Sequence, residues 1–373
     1  MRTFLLVLLL AASALAQRHK VNINTETPEG QLLQSIGQES DEARKLTLLE
    51  KFTQDYGKSE NLAWVYGQMV PLYTKANQPD KAIEISDKLI ALDPDDLDTA
   101  LAALKAAEAK KDPDLVKKWS NATGQAAQKA MAAPQPKDED EVEGWKKSVD
   151  YAKQVNTYSE YALYSTALQT GDAQKKADLI ETLEQRNPKS QYLAQVKPLL
   201  FQTYRQAGDN AKAVAVAEQI LATDQSNEDM LLVVADNYLQ TGKEPEKVIA
   251  YSTKLVEVMN SKPKPDGVSD ADWQNRKNTI TGLGHFMIGK QYFNEKKYGP
   301  ADKELREALP LVEANADLKP EVLFLLGFSN YKMEKIMDAL KFNQQCAAIK
   351  SRFQAQAAKN VTVIKSQYRA VKQ

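Results

Sequence analysis

The sequence predicts an all-α fold: a superhelical solenoid of about eight helix-turn-helix repeats, closed by a C-terminal capping helix. Three observations predict it. Paired amphipathic runs joined by short polar turns recur along most of the chain, as in AWVYGQMVPLYTKANQPDKAIEISDKLIALDP at 63–94. Small residues return at nearly constant intervals. Gly171 lies 37 residues before Gly208, Gly208 lies 34 before Gly242, and the steps Gly289 to Gly327 and Ala301 to Ala339 are both 38. Strand signals are weak: alternating runs are short and lack hairpin turns, and the 373 residues include only 15 Gly and 15 Pro.

Composition bounds the function classes. Charged residues make up 27% and apolar ones 43%, as in ordinary soluble domains. The net charge of -1 argues against a surface built to hold nucleic acid by bulk electrostatics. Residues 1–16, MRTFLLVLLLAASALA, carry Arg2, a short apolar stretch and an Ala14-Leu15-Ala16 ending. They read as a signal peptide cleaved after Ala16, which predicts a periplasmic or secreted protein. The run is too short for a spanning helix, and no later segment is long and apolar enough, so no membrane insertion is expected after cleavage. Cys346 is the only cysteine, so stability must come from packing rather than an internal disulfide.

The elements follow in order. Residues 17–29 (QRHKVNINTETPE) lack periodicity and are expected to be disordered. Residues 30–130 are expected to hold about three helix pairs. In one of them Met69, Val70 and Tyr73 stand at helical spacing, a turn runs over 75–79, and Ala82, Ile83, Ile85, Leu89 and Ile90 form the second run before Asp93-Pro94. Two helices this short cannot bury enough surface alone to offset their ordering entropy, so they need stacked neighbours. Residues 131–147 contain APQPKDEDEVEG and read as a hinge or exposed loop leading to a helix at Trp145. About three more pairs are expected over 148–258. A second loop, 259–272, contains NSKPKPDGV, and Ser269-Asp270-Ala271-Asp272 reads as the cap of the next helix. Residues 273–350 hold two pairs. Residues 351–373 form the capping helix, with Phe353, Val361, Val363, Ile364 and Tyr368 as its apolar positions.

The pattern resembles the tetratricopeptide repeat family. The matching residues are Tyr73, Ala82 and Pro94; Tyr204 and Ala213; Gly289, Tyr292, Tyr298 and Ala301; and Gly327 and Ala339. Small residues belong where two helix backbones cross too closely for more than a methyl group. The resemblance covers roughly 30–350, with weaker copies at 31–57 and 97–130 and Gln225 in place of a proline. It implies a right-handed superhelix whose concave side, lined mainly by the first helix of each pair, grips a protein or peptide. Some family members clamp a peptide's carboxylate with a Lys/Asn/Arg set; the corresponding positions here do not carry it.

Candidate chemistry is sparse. Gly284-His285-Phe286-Met287-Ile288-Gly289-Lys290 satisfies part of a phosphate-binding loop, but Gln291 replaces the Mg²⁺-binding Ser or Thr and no strand precedes it. Gly289 is already explained as a crossing residue. Only His19 and His285 exist, and no Cys/His cluster has ligand spacing, so no metal or cofactor is expected. Cys346 sits in an amphipathic run and reads as a buried structural thiol. The acidic run at 138–143 lacks the glycine and ligand order of a calcium loop. Asn121-Ala122-Thr123 and Asn360-Val361-Thr362 match glycosylation sequons.

Aligning the repeats on their small residues predicts a groove. Its inward positions are Tyr158, Tyr161, Gln202, Arg205, Asp229 and Asp236, then Leu283, Phe286, Lys290, Phe293, Phe324, Phe328 and Tyr331. The C-terminal part is aromatic and suits an apolar or amphipathic peptide, unless residues 351–371 cover it. The expected function is a non-catalytic exported scaffold for a protein or peptide partner, in envelope assembly if the cell has two membranes. The alternatives are a helical-repeat enzyme acting on envelope polysaccharide, since acidic pairs abound, and a self-associating structural module.

Overall fold

A computed structural model of the chain describes residues 18–371. The leader expectation, 1–16 with cleavage after Ala16, falls outside them. Among the described residues there are seventeen helices and no strand. The chain divides into two compact units between Thr203 and Tyr204. The first holds α1 (Pro28–Gln38), α2 (Glu42–Asp55), α3 (Leu62–Lys75), α4 (Pro79–Leu92), α5 (Leu97–Lys110), α6 (Pro113–Met131), α7 (Glu139–Gln169) and α8 (Ala173–Arg186). Helix α9 (Leu193–Gln206) spans the division in sequence. The second holds α10 (Asn210–Thr223), α11 (Glu228–Thr241), α12 (Pro245–Ser261), α13 (Asp270–Asn294), α14 (Tyr298–Leu311), α15 (Leu318–Lys332), α16 (Ile336–Ala347) and α17 (Gln354–Val371).

Helix starts follow local chemistry. The side chains of Asp41, Asp96, Asp112, Asp138, Asp172, Asp209, Asn227 and Ser269 each accept a backbone N–H of the first turn. Prolines open α4, α6 and α12, where a missing N–H costs nothing. Four of the turns inside a pair share one backbone solution. One residue takes a left-handed φ and the next N–H bonds back into the first helix. Gly208 (φ 74°) does so without strain, while Asn77 (54°), Lys296 (61°) and Glu334 (61°) occupy the same station with side chains. The returning bonds are Asp209 to Tyr204, Gln78 to Tyr73, Lys297 to Tyr292 and Lys335 to Asn330, at 2.9–3.0 Å. Geometry, not glycine, is therefore the repeated element, which is why a glycine search finds only some of the turns.

Within the first unit every helix from α1 to α8 packs on its sequence neighbours, and within the second every helix from α10 to α17 does. Alternate helices touch as well: α3 with α5, α5 with α7, α6 with α8, α11 with α13 and α13 with α15. This is the stacking of helix pairs that the spacing of small residues implies. Ala82, Ala213, Ala301 and Ala339 are fully buried. A β-carbon on Gly289 would stand 2.8 Å from Leu305, and one on Gly327 would stand 2.4 Å from Asn343, so both helices need a bare backbone at the crossing. One apolar cluster runs from Leu33 on α1 through Phe52, Met69, Leu104 and Trp119 to Ala162 on α7, and a second joins Leu97, Ala126, Ala152 and Val155.

Successive pairs are also tied by a recurring polar triad. Tyr73 donates to Glu50 at 2.6 Å, and Lys81 reaches the same carboxylate at 3.1 Å while lying over the Tyr73 ring. In the second unit Tyr238 donates to Glu218 at 2.8 Å, and Lys247 donates to the Tyr238 hydroxyl at 3.0 Å. In each triad the carboxylate comes from the preceding pair, so the tyrosine late in a first helix locks one pair to the next.

Several boundaries differ from expectation. Residues 18–27 are not helical, but they are bonded rather than free. Arg18 makes two bonds to Asp93 at 2.5 and 2.9 Å, His19 meets Asp96 at 2.9 Å, and the Asn22 N–H donates to Asn61 at 2.8 Å. The acidic caps Asp93 and Asp96 of the α4–α5 turn, with Asn61 at the start of α3, provide these partners, which composition does not reveal. The break expected at 131–147 is non-helical only over 132–138, because Asp138 caps α7 and the following acidic residues suit a helix N-terminus. Position 148 thus lies inside a 31-residue helix. The break at 259–272 narrows to 262–269. The final helix begins at Gln354, with Ala357 and Ile364 buried.

Candidate functional site

The predicted groove residues fall on five helices, and the structure sorts them into different environments. Phe286, on α13, is only 7% exposed and belongs to the core. The inward face assigned from sequence is there the face that packs. Lys290 lies over the Phe286 ring and donates to Glu321 at 2.8 Å. Phe293 meets Phe328 edge-on at 5.3 Å, and both touch Tyr298, at 5.9 and 6.1 Å. Lys332 caps the Phe328 ring. Phe324 is stacked by Phe353 at 5.0 Å, and the Tyr331 hydroxyl donates to Gln367 at 2.9 Å. The C-terminal segment therefore covers Phe324 and Tyr331 itself. Leu283 is half-buried, and Gln202, Arg205, Asp229 and Asp236 are exposed. Asp229 accepts from Arg276 at 3.0 Å, and Asp236 accepts from Gln240 at 2.7 Å.

The phosphate-loop candidate is interior helix. Gly284 and Gly289 sit inside α13, where β-carbons would stand 2.7 Å from Val256 and 2.8 Å from Leu305. His285 is paired with Glu304 at 2.8 Å. No backbone N–H row is left to cradle a phosphate there, because those groups bond within the helix. Cys346 is buried, its thiol is directed at the Pro320 carbonyl at 3.4 Å, and burial pushes it up to about 11. Of the sequon residues, Thr123 is fully buried and Asn360 donates to Asn343 at 3.0 Å.

The tyrosines of the first unit present a different picture. Tyr158 is half-buried between α5 and α7. Its hydroxyl donates to Glu108 at 2.5 Å, and burial with that carboxylate raises it above the ordinary tyrosine range. One turn on, Tyr161 is 44% exposed. Its ring meets Tyr164 at 6.1 Å and Tyr192 at 5.9 Å, and Tyr164 stacks on Tyr192 at 5.1 Å. Leu168, 50% exposed, continues the same α7 face. The Tyr164 hydroxyl donates to Gln195 at 2.8 Å. The three rings form a ledge in which Tyr161 is exposed and Tyr164 and Tyr192 are half-buried.

A buried polar network holds this ledge in place. Glu160 is buried on α7, and both of its oxygens are used. Asn156 and Asn187 donate to one, at 3.2 and 3.0 Å, and Ser190 donates to the other at 2.7 Å. Asn187 and Ser190 lie in the turn between α8 and α9, so Glu160 pins that turn and sets Tyr192 beside Tyr161. Arg186 closes the network from α8, donating to the Ser120 carbonyl at 2.9 Å and to Ser159 at 2.7 Å. Gly124 makes the room, for a β-carbon there would stand 1.9 Å from the guanidinium. Burial lowers the Arg186 pKa from its usual value, and Glu160 opposes the shift. Sequence analysis found Tyr161 but not Tyr164, Tyr192 or Glu160. The signal for Tyr164 is the i, i+3, i+7 apolar row 161–164–168 on a helix whose opposite face is already the core, while Tyr192 and Glu160 have none in the sequence pattern.

An open cleft of about 390 Å³ lies between α10, α11 and α12 in the second unit, lined by Leu221, Leu231, Ala250, Tyr251, Glu218 and Lys254. Among the described residues no group of three His, Cys, Asp or Glu could hold a metal ion. No described helix is long and apolar enough to cross a membrane.

No protein-family model matches the chain, and no curated protein matches it. Solved structures do. The tetratricopeptide domain of P58(IPK) is similar at 11% identity over 93% of this chain and 100% of that one, with a TM-score of 0.28. The Cut9–Hcn1 hetero-tetramer of APC/C is similar at 12% identity over 92% of this chain and 65% of that one, with a TM-score of 0.35. The STAND-class ATPase with a tetratricopeptide repeat sensor from Pyrococcus horikoshii gives 13% identity, 85% and 43% coverage, and 0.31. The chain spans under two thirds of the last two. Superpositions this loose assign no residue roles. The stacked-pair fold stands on the helix packing itself.

Proposed function

We propose that this protein is a non-catalytic scaffold that binds a partner protein or peptide, with the Tyr161–Tyr164–Tyr192 ledge as its contact surface. The single observation behind this reading is the ledge itself: three clustered tyrosines, held from beneath by a buried network, with Tyr161 exposed at its edge. Tyrosine rings are rigid, amphipathic and cheap to order, which suits them to contact surfaces. The groups that could have carried catalysis have other work: Glu160 is saturated by hydrogen bonds and Cys346 is held as the thiol. Export to a periplasmic or extracellular site, and a role in envelope assembly, rest on the leader-like 1–16.

Capture from the native extract tests the reading. Wild-type chain and the Tyr161→Ala/Tyr192→Ala variant, matched for helicity and melting temperature, are compared side by side. Partners retained by the wild type and lost by the variant support the ledge. An identical captured set in both rejects it. Light scattering on the free chain tests the self-associating alternative, and a strict monomer at high concentration removes it.

A further inference from the structure

We propose that the α4–α5 turn and the start of α3 form a docking site for a short basic segment of a partner protein, Arg-His-x-apolar in pattern, and that residues 18–22 are its resident, displaceable occupant. The site shares no residue with the tyrosine ledge. What marks it is the peptide already seated there. Two of the receiving side chains, Asn61 and Asp96, are each only 5% exposed, and both turn an oxygen to this strap. The Asn22 N–H donates to Asn61 Oδ1 at 2.8 Å. The Asn61 amide group donates to Glu29 at 3.2 Å, which fixes the direction of its oxygen. Asp96 accepts the Thr99 N–H through Oδ1, and its Oδ2 meets both the Thr99 hydroxyl at 3.0 Å and His19 Nε2 at 2.9 Å. Buried acceptors arranged in this way call for donors from the segment that crosses them.

Each station selects a residue type. Arg18 meets Asp93 as a fork, Nε on one oxygen at 2.5 Å and Nη2 on the other at 2.9 Å, a pairing that lysine cannot reproduce. The His19 ring is largely buried and lies against Gly67, where a β-carbon would stand 3.6 Å from it. Lys20 is exposed, and Val21 is half-buried against the apolar cluster of the first unit. The bond at Asn22 comes from the backbone, so any residue but proline provides it. Of the other charges nearby, Asp95 is paired with Lys129, and Glu60 accepts from the Asn22 side chain at 3.5 Å. The strap is nonetheless held lightly. Residues 20–24 have no regular structure and Ile23 is exposed, so the segment opens at far lower cost than the helices beneath it. A tethered occupant competes at an effective concentration of about millimolar, which screens the site against weak ligands and yields to a matched segment held close by another contact.

The probe is a labelled peptide of residues 18–24 (RHKVNIN), read by fluorescence anisotropy. It is titrated into the full chain, into the full chain with Arg18→Ala/His19→Ala, and into a chain beginning at Asn24. The last keeps the Asn24–Thr27 turn and the Thr27 cap of α1, and the double variant frees the site with nothing removed. Both opened chains, checked for native helicity, should bind the peptide at least roughly tenfold more tightly than the wild type does. Asp93→Asn in the shortened chain should weaken binding roughly tenfold, and so should lysine in place of the peptide's arginine. Tyr161→Ala should leave binding unchanged. Equal binding to wild-type and opened chains overturns the proposal, as does no binding to the folded opened chains or equal binding of a scrambled peptide. Wild-type dimers that Arg18→Ala/His19→Ala abolishes would assign the site to a second copy of this chain and overturn the partner assignment. Capture of ledge-dependent partners does not involve these residues, so the scaffold reading stands or falls separately.

Discussion

Replacing Gly124 with alanine should destabilise the first unit, although the same change in an ordinary helix stabilises it. In α6 alone the substitution is worth up to about 1 kcal/mol in favour of folding. Here the new methyl would stand 1.9 Å from Arg186 Nη2 and 2.4 Å from its Cζ, so the guanidinium must leave. Leaving breaks its bonds to the Ser120 carbonyl at 2.9 Å and to Ser159 at 2.7 Å. Bonds to a charged group contribute about 1.5 kcal/mol each at the low end, so the loss is about 3 kcal/mol and the net cost about 2 kcal/mol. Urea unfolding followed by far-ultraviolet ellipticity measures it. The decisive comparison is a double-mutant cycle. Once Arg186→Ala has emptied the space, Gly124→Ala should become neutral or stabilising by up to about 1 kcal/mol. If Gly124→Ala costs the same in both backgrounds, or stabilises the wild type, the guanidinium does not occupy that space in solution and the account of the network is wrong.

Three further outcomes follow from the same structure. Glu334→Gly relieves a left-handed residue (φ 61°) in the α15–α16 turn and should raise stability by about 0.5–1 kcal/mol in urea melts, whereas Gly208→Ala should lower it. Tyr73→Phe should cost about 1 kcal/mol at neutral pH, by loss of the bond to Glu50. The Tyr73 hydroxyl, ahead of Lys81 and against desolvation, lowers the Glu50 carboxyl from its ordinary 4.5. A lowered folded value means that the contribution is present above 4.5 and lost as pH falls through the folded value, so the wild-type advantage should shrink in acid. An advantage that grows below pH 4.5 would contradict the bond. Cys346, raised from 9.0 to about 11, should react with an aromatic disulfide reagent about a hundredfold more slowly in the native chain than in urea. Equal rates would mean that α16 opens readily.

Much of the architecture was legible in local chemistry. The Asp, Asn and Ser caps, the prolines at helix starts and the 3.6-residue apolar rows place most helices, because each depends on residues within one or two turns. Ala82, Ala213, Ala301 and Ala339 mark helix crossings for the same reason: a crossing tolerates only a small side chain, whatever its partner. Where the local signal was mistaken, a distant residue was responsible. Residues 18–27 look unstructured until Asp93, Asp96 and Asn61 are brought beside them. The acidic stretch at 138–143 looks like a loop until Asp138 is seen as a cap and its followers as the first turn of α7.

Repeat spacing settles which residues can face the same way, since period and step are properties of the chain. Which of those faces remains open is settled by what arrives from far along the sequence. Phe324 and Tyr331 have the same pattern credentials as Tyr161, yet Phe353 and Gln367 come back over the former pair, while Tyr161 stays 44% exposed beside Tyr192. Likewise no spacing rule could bring Tyr192 against Tyr161. A buried carboxylate, Glu160, does so by bonding the turn on which Tyr192 sits. Backbone preference acts within a few residues and can be read one residue at a time. Burial belongs to the assembled packing, and only the folded chain decides it.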